Sequence, residues 1–341
     1  MISFACDYLE GAHPAVLEAL VRTNAEQTVG YGLDPHCLAA AEMIRARFAV
    51  PEAAVHFAVG GTQGNTLVIA AALRPYEGVL CADSGHINVH ETGAPEATGH
   101  KILPLPPKDG KITGAQVREA MKAQADFEHT VRPGMVYISM STEVGTVYTL
   151  AELADLYDAC REEGLYLYVD GARLGTGLAS PDTDLTPETL AAHCDAFTIG
   201  GTKNGALFGE ALVLRHPGLQ PRFRYMLKRQ GAMLAKGRLL GVQYEALMRD
   251  DLYFEIGRKE TEQALRIREA LLERGIPLWQ DTKTNQLFPI LTSAQRRCLE
   301  VDFALEPWAP LPDGREALRI ATSWATTDEA VEALIRAIRA L

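Results

Sequence analysis

The chain predicts an α/β fold, with a mostly parallel seven-stranded sheet carrying helices on both faces and a smaller α+β region after it. Three observations predict this. Short apolar runs alternate with amphipathic stretches as far as Arg215. Several of those runs are continuously apolar, as strands covered on both faces must be. The rhythm then changes near Asp250. Alternation of this kind is the pattern of strand–helix–strand units, whose helices fold back over the sheet.

The strand-like runs are Val55 to Val59, Gly78 to Ala82, Lys101 to Leu105, Met135 to Met140, Leu165 to Val169, Ala196 to Gly200 and Ala211 to Arg215. Helical spacing is read between them. Asn65 to Leu73 is apolar at that spacing, and Thr113 to Gln124 places Val117 and Met121 on one face. Thr149 and Glu152 form a capping-box pair ahead of a helix over Leu150 to Glu163. Thr186 followed by Pro187 marks another start, because proline suits the first helical position. Beyond Asp250 the pattern gives a charged amphipathic helix from Tyr253 to Arg274, two or three short strands, and a last helix from Asp328 to Leu341. The expected division is an N-terminal arm (residues 1–14), a large domain (15–249) and a small C-terminal domain (250–341), a size that suits two cores better than one.

Composition narrows the function. A formal net charge of −11 disfavours nucleic acid or an anionic membrane as the main partner. No apolar run is long enough to span a bilayer, and the N-terminus lacks a basic start followed by an apolar run. The six cysteines (Cys6, Cys37, Cys81, Cys160, Cys194 and Cys298) contain no C-x-x-C pair. That pattern suits reduced thiols in the cytoplasm better than a disulfide framework.

Three polar motifs follow strand-like runs, and ligands of open α/β sheets bind beyond the carboxyl ends of strands. Gly60-Gly61-Thr62-Gln63-Gly64-Asn65 leads into a helix whose free N–H groups suit a phosphate; taken singly it is equally a plain glycine turn. Asp170 in Val169-Asp170-Gly171-Ala172-Arg173 is either a helix cap or a carboxylate for a protonated ring nitrogen. Lys203 lies in Gly200-Gly201-Thr202-Lys203-Asn204-Gly205. Most lysines are solvated surface groups, but burial of this one would lower its pKa towards nucleophilic use. Pyridoxal 5′-phosphate (PLP) needs the three together: a lysine for its aldehyde, an acid for its pyridinium and a phosphate cup.

With these motifs in hand, the chain resembles the threonine aldolase group of fold-type-I PLP enzymes, especially its phenylserine aldolase branch. The resemblance rests on YGLDP, GGTQGN, GHINVHETGAPE, TEVGTVYTL, VDGAR, GGTKNG and RIATSWATT, in family order over nearly the whole chain. It implies a Schiff base on Lys203, with Asp170 as partner of the pyridine nitrogen and His86 stacked on the ring. Gly61 and Thr62 would hold the phosphate, and Arg173 would face the cofactor or the substrate carboxylate. Arg319 would clamp that carboxylate, since a guanidinium offers two parallel donors. Tyr31 would be a further substrate contact. A homodimer or homotetramer with shared sites is implied, in which a neighbouring subunit lends basic residues to the phosphate. Arg229 and Lys236, seven apart and read as one helical face, are the candidates. The implied reaction is retro-aldol cleavage of a β-hydroxy-α-amino acid.

One departure leaves the chemistry open. Many members carry a histidine after the strand that corresponds to Met135 to Met140, whereas this chain reads Ser141-Thr142-Glu143-Val144-Gly145. Glu143, His86 or a water must then act as base. β-Elimination or racemisation on the same cofactor remains an alternative. So do a metal hydrolase built on Asp83, His86, His90 and Glu91, a short-chain dehydrogenase using Gly171, Gly175 and Gly177, and a non-catalytic binding module.

Overall fold

The computed structural model describes residues 1–124 and 128–341. The seven apolar runs form one sheet. Its strands are β1 (Ala54–Ala58), β2 (Glu77–Ala82), β3 (Ile102–Leu105), β4 (Arg132–Ser139), β5 (Tyr166–Asp170), β6 (Ala196–Gly200) and β7 (Glu210–Leu214). Their order across the sheet is β3-β2-β4-β5-β6-β7-β1. β7 runs antiparallel to both of its neighbours, and the other pairs are parallel. The exception has a cause in chain length. A parallel crossover needs a dozen or more residues, and the link from Gly200 to Glu210 is shorter. Gly205 (φ +90°) and Gly209 (φ +138°) let it double back. One edge of the sheet therefore gathers the carboxyl ends of the parallel strands and the amino end of β7.

Period-two alternation sorts the strand side chains onto two faces. Val136, Ile138, Leu167, Val169, Ile199 and Val213 belong to one apolar core. Their sequence neighbours Met135, Tyr137, Tyr168, Leu212 and Leu214 belong to another. The covering helices begin where the sequence placed them. Thr113 caps Gly114–Ala123 and Thr149 caps Leu150–Glu163, each in a capping box. Thr186 caps Pro187–Ala192. Gly164 closes the second of these helices at φ +68°, where a Cβ would be strained.

After helix Leu252–Glu273 the chain forms five short strands rather than two or three: Gln286–Leu287, Ile290–Leu291, Phe303–Ala304, Glu306–Pro310 and Glu316–Ala321. Glu316–Ala321 pairs antiparallel with three of them. Phe303–Ala304 pairs in parallel with Ile2–Ser3, and Phe4 enters the third core beside Ile267, Leu287, Ile320 and Leu334. The final helix, Asp328–Ala340, buries Val331, Leu334, Ile335 and Ile338, one apolar stripe.

The expectation that Arg229 and Lys236 share a helical face is corrected. Helix Phe223–Arg229 ends at Arg229, Gly231 turns the chain at φ +71°, and the next helix is Arg238–Met248. Among the described residues, no helix is long and apolar enough to cross a membrane, and the six cysteines are unbridged.

Candidate active site

A cleft of about 440 Å³ opens along the carboxyl edge of the sheet. Its lining includes Gly61 and Thr62 after β1, Asp170 at the end of β5 and Arg173 after it, Lys203 after β6, and Glu210 at the start of β7. His86 and Glu143 line it as well. Seven of the site residues expected from sequence thus stand around one space. Its volume lies in the range of small-molecule pockets.

Lys203 sits in the tight β6–β7 link, and its Nζ lies 5.9 Å from the centre of the Tyr8 ring. Burial, then the nearby Arg173 charge, lower its amine to about 8, while Asp7, Asp170 and Glu210 pull the other way. A larger share of the amine is neutral near pH 7–8 than for a surface lysine, as a nucleophile requires.

Asp170 is held by a network that joins β4, β5 and helix Gly61–Ala72. Its Oδ2 accepts from the Tyr137 hydroxyl at 2.6 Å and from Asn65 Nδ2 at 3.0 Å, and its Oδ1 accepts from the Ala172 N–H at 2.9 Å. Asn65 is fixed in turn, donating to Glu91 Oε1 at 2.7 Å and accepting from the Tyr168 hydroxyl at 2.7 Å. Burial, then Asp170, push the Tyr137 phenol well above its ordinary value, so it remains a donor. A carboxylate so restrained presents a fixed acceptor, which suits a pyridinium nitrogen.

His86 Nδ1 lies 2.8 Å from Glu91 Oε1. Burial opposes the charged imidazole, but the Glu91 hydrogen bond and the Asp170 charge outweigh it, and its pKa is raised. Glu143 Oε1 accepts from the His86 backbone N–H at 2.9 Å and from Ser139 Oγ at 2.6 Å. Burial pushes the Glu143 carboxyl up, making it a stronger base than an exposed glutamate. Among the described residues, no group of three or more His, Cys, Asp or Glu side chains is arranged to hold a metal ion.

The glycines that suggested a dinucleotide loop are packing glycines. A Cβ on Gly171 would lie 2.0 Å from the Thr198 carbonyl oxygen, and one on Gly175 would lie 3.0 Å from Asn204 Nδ2. A Cβ on Gly60, at the cap of helix Gly61–Ala72, would meet nothing within 4 Å, and no side chain caps that helix. The first N–H groups of that helix are thus available to an anion.

Arg173 lines the cleft, but its fork is already engaged. Nε donates to Asp7 Oδ2 at 2.6 Å and Nη2 to Asp7 Oδ1 at 2.9 Å. Arg319, on strand Glu316–Ala321, stands outside the cleft lining. It donates through Nε and Nη2 to the Ala5 carbonyl at 3.2 and 3.0 Å and lies 5.6 Å from the Trp308 ring centre. Among the described residues, no carboxylate pairs with it. Tyr31 is not in this cleft. It lines a separate cavity with Arg224 and Met233, at φ +62°, and Arg229 and Lys236 are exposed on the same stretch of chain.

Sequence reasoning missed Asp7, Asn65 as a support for Asp170, Tyr137, Tyr168 and Glu210. Only Glu210 left a local signal, as a charge heading a wholly buried apolar strand.

A half-buried lysine of lowered pKa, a braced carboxylate and an anion-ready helix start, together on the carboxyl edge of an α/β sheet, define the site of a PLP enzyme. The chain belongs to the beta-eliminating lyase family, whose model matches residues 4–294. It is 30% identical over 340 residues to the low specificity L-threonine aldolase of Pseudomonas aeruginosa, covering 98% of this chain and 96% of that one. A second such aldolase, from a Pseudomonas species, is 34% identical over 249 residues, covering 72% and 71%. The solved Leishmania major threonine aldolase superposes with a TM-score of 0.98 at 44% identity, covering 100% and 99%. Aspartate aminotransferase of Thermus thermophilus gives 0.72 at 17% identity over 100% and 91%, a likeness of fold alone. PLP is the cofactor of this family, and the residues present fit it: the cleft has the volume, a low-pKa lysine, a fixed carboxylate and an open phosphate cradle.

Proposed function

We propose that this chain cleaves the Cα–Cβ bond of a β-hydroxy-α-amino acid of the threonine or phenylserine type, giving glycine and an aldehyde. The observation that carries the reading is Lys203, with its amine lowered to about 8, in one cleft with Asp170. The family and its threonine aldolase relatives support it.

Lys203 would carry the cofactor, Asp170 would accept from its ring nitrogen, His86 would cover the ring, and the Gly61 and Thr62 N–H groups would hold its phosphate. When bound, PLP supplies an electron sink for the charge left on Cα as the bond breaks. Arg319 is our assignment for the substrate carboxylate, because among the described residues its guanidinium has no carboxylate partner, whereas Arg173 is paired with Asp7. Arg173 would then act mainly by its charge on Lys203. Glu143 is our assignment for the group that takes the β-hydroxyl proton. It lines the cleft with a raised pKa, whereas His86, whose protonated form is favoured by Glu91, has no acceptor nitrogen once protonated.

Tyr31, Arg229 and Lys236 would serve the site of a neighbouring subunit in a homodimer or homotetramer, since they lie away from the cleft of their own chain. We also propose that residues 1–14, 15–249 and 250–341 act as arm, cofactor domain and small domain. The unbridged thiols suit a reducing compartment such as the cytoplasm.

The test is Lys203→Ala. The variant should lose the visible cofactor band, its reduction by borohydride, and release of glycine and aldehyde from phenylserine. Full turnover with the same reducible band would sink the assignment. Pyruvate with ammonia, or the inverted amino acid, as the wild-type product would replace aldol cleavage with another reaction.

A further inference from the structure

Glu210 is a buried carboxyl that the reaction above does not use. It heads β7 and pairs in register with Ala58, just before the Gly60–Thr62 turn, and with Gly200, just before the Lys203 loop. The residue is 2% exposed, yet it lines the cleft. Its Oε2 lies 4.0 Å from where a Cβ of Gly61 would stand, and its Cγ lies 3.4 Å from that of Gly64. The side chain therefore sits beneath the first turn of helix Gly61–Ala72. Oε1 has no hydrogen-bond partner, and among the described residues no cation lies within salt-bridge distance. Such a group is costly to keep ionised.

We propose that Glu210 is a proton-coupled part of the cofactor's phosphate site: the Gly60–Thr62 turn accepts a phosphate dianion when Glu210 is a neutral acid, so docking draws one proton from solvent onto an ionised Glu210. Two anions at one helix start repel each other in a poorly solvated space, and protonation removes one of the charges. The balance is simple: one carboxylate and one solvent proton give one carboxylic acid. The inference rests on the PLP-site reading.

The groups facing Glu210 are Asp170 and Tyr168 from β5, Lys203 from the β6–β7 link, Tyr244 from helix Arg238–Met248 and Tyr253 from helix Leu252–Glu273. Burial, then Asp170, raise the Glu210 carboxyl to about 8, and a Thr198 hydrogen bond, then the Lys203 charge, work against them. Burial keeps the three phenols out of that range.

Lys203→Met protein removes the competing amine, and pyridoxine 5′-phosphate, which has no aldehyde, is the probe. Losing the lysine charge moves the Glu210 transition upward, so calorimetric titrations should run from pH 7 to 10. Towards pH 10, affinity of the Lys203→Met protein should fall about tenfold more per pH unit than that of Lys203→Met/Glu210→Gln. Buffers of different ionisation heat should show up to about one additional proton taken up. Equal pH slopes and equal proton counts overturn the proposal while leaving the cofactor site standing; no binding at any pH overturns both. Should the double variant fail to fold, infrared difference spectra of Lys203→Met protein at high pH provide the second measurement. Gain of a carboxylic-acid carbonyl band on adding the probe is expected, and its absence overturns the proposal.

Discussion

Asp7→Asn should cost far more than an ordinary ion pair, because Asp7 joins three distant parts of the chain. Its carboxylate accepts both bonds of the Arg173 fork and a third from Asn285 Nδ2 at 2.8 Å. Burial alone would raise its pKa. The charges of Arg173 and Lys203, with hydrogen bonds from Arg173 and Asn285, override burial and lower it from 3.8 to about 2. At about 1.4 kcal/mol per pH unit, that favours the folded chain by about 2–3 kcal/mol at neutral pH. Asparagine loses that term and also strands the buried Arg173 charge, for a total of roughly 3–5 kcal/mol. The sign with pH follows from a depressed carboxyl: its stabilisation is complete above the unfolded value of 3.8 and is lost as pH falls through about 2. Urea unfolding of wild type, Asp7→Asn, Arg173→Gln and the double variant gives the coupling directly. The wild-type advantage over Asp7→Asn should be flat between about pH 5 and 6 and shrink below pH 4. A loss under about 1 kcal/mol, as for a solvated surface pair, or an advantage that grows in acid, would refute the reasoning. Asp7 also raises the Lys203 amine, so the variant's Lys203 should titrate below about 8, measurable from the pH dependence of its acylation.

Glu91→Gln removes the carboxylate bonded to His86 Nδ1, so the His86 pKa should fall, as read by NMR titration of its ring. The stabilisation carried by this raised histidine is complete below its unfolded pKa and is lost as pH rises through its folded value; an unmoved titration would exclude the pairing. Glu143→Gln should lower kcat by roughly 10²–10⁴-fold with little change in KM, and should erase the rise of kcat as pH passes the raised Glu143 value. A retained pH limb would move the base elsewhere. Mixing inactive Lys203→Ala with inactive Arg229→Gln/Lys236→Gln chains should restore about a quarter of the wild-type activity if the basic pair serves the neighbouring subunit of a dimer. No recovery after subunit exchange would mean that those residues act within their own chain.

What was legible in the sequence was whatever local chemistry writes locally. Continuous apolar runs gave all seven strands, because strands covered on both faces need side chains of that kind. The capping box of Thr149 and Glu152 involves residues three apart and reappears bond for bond, and the structure adds a second at Thr113 and Gln116. Lys203, Asp170 and the Gly60 turn were found because each directly follows a strand, and all the parallel strands end on one edge. The antiparallel sense of β7 follows from the short link before it, a length that the sequence itself contains. The remainder is set by contacts between segments far apart in the chain. Asp7 is 166 residues from the arginine it binds, and no spacing rule reaches that far. The seven-residue interval between Arg229 and Lys236 suggested one helix, but Gly231 at φ +71° ends it. Tyr31 shows the same limit differently, for a motif may name a residue without saying which chain's cleft it faces. Its φ of +62° places it on an exposed turn braced by the Ala235 carbonyl. A costly backbone away from the cleft of its own chain fits the proposal that Tyr31 serves a neighbouring subunit, which the subunit-mixing assay tests.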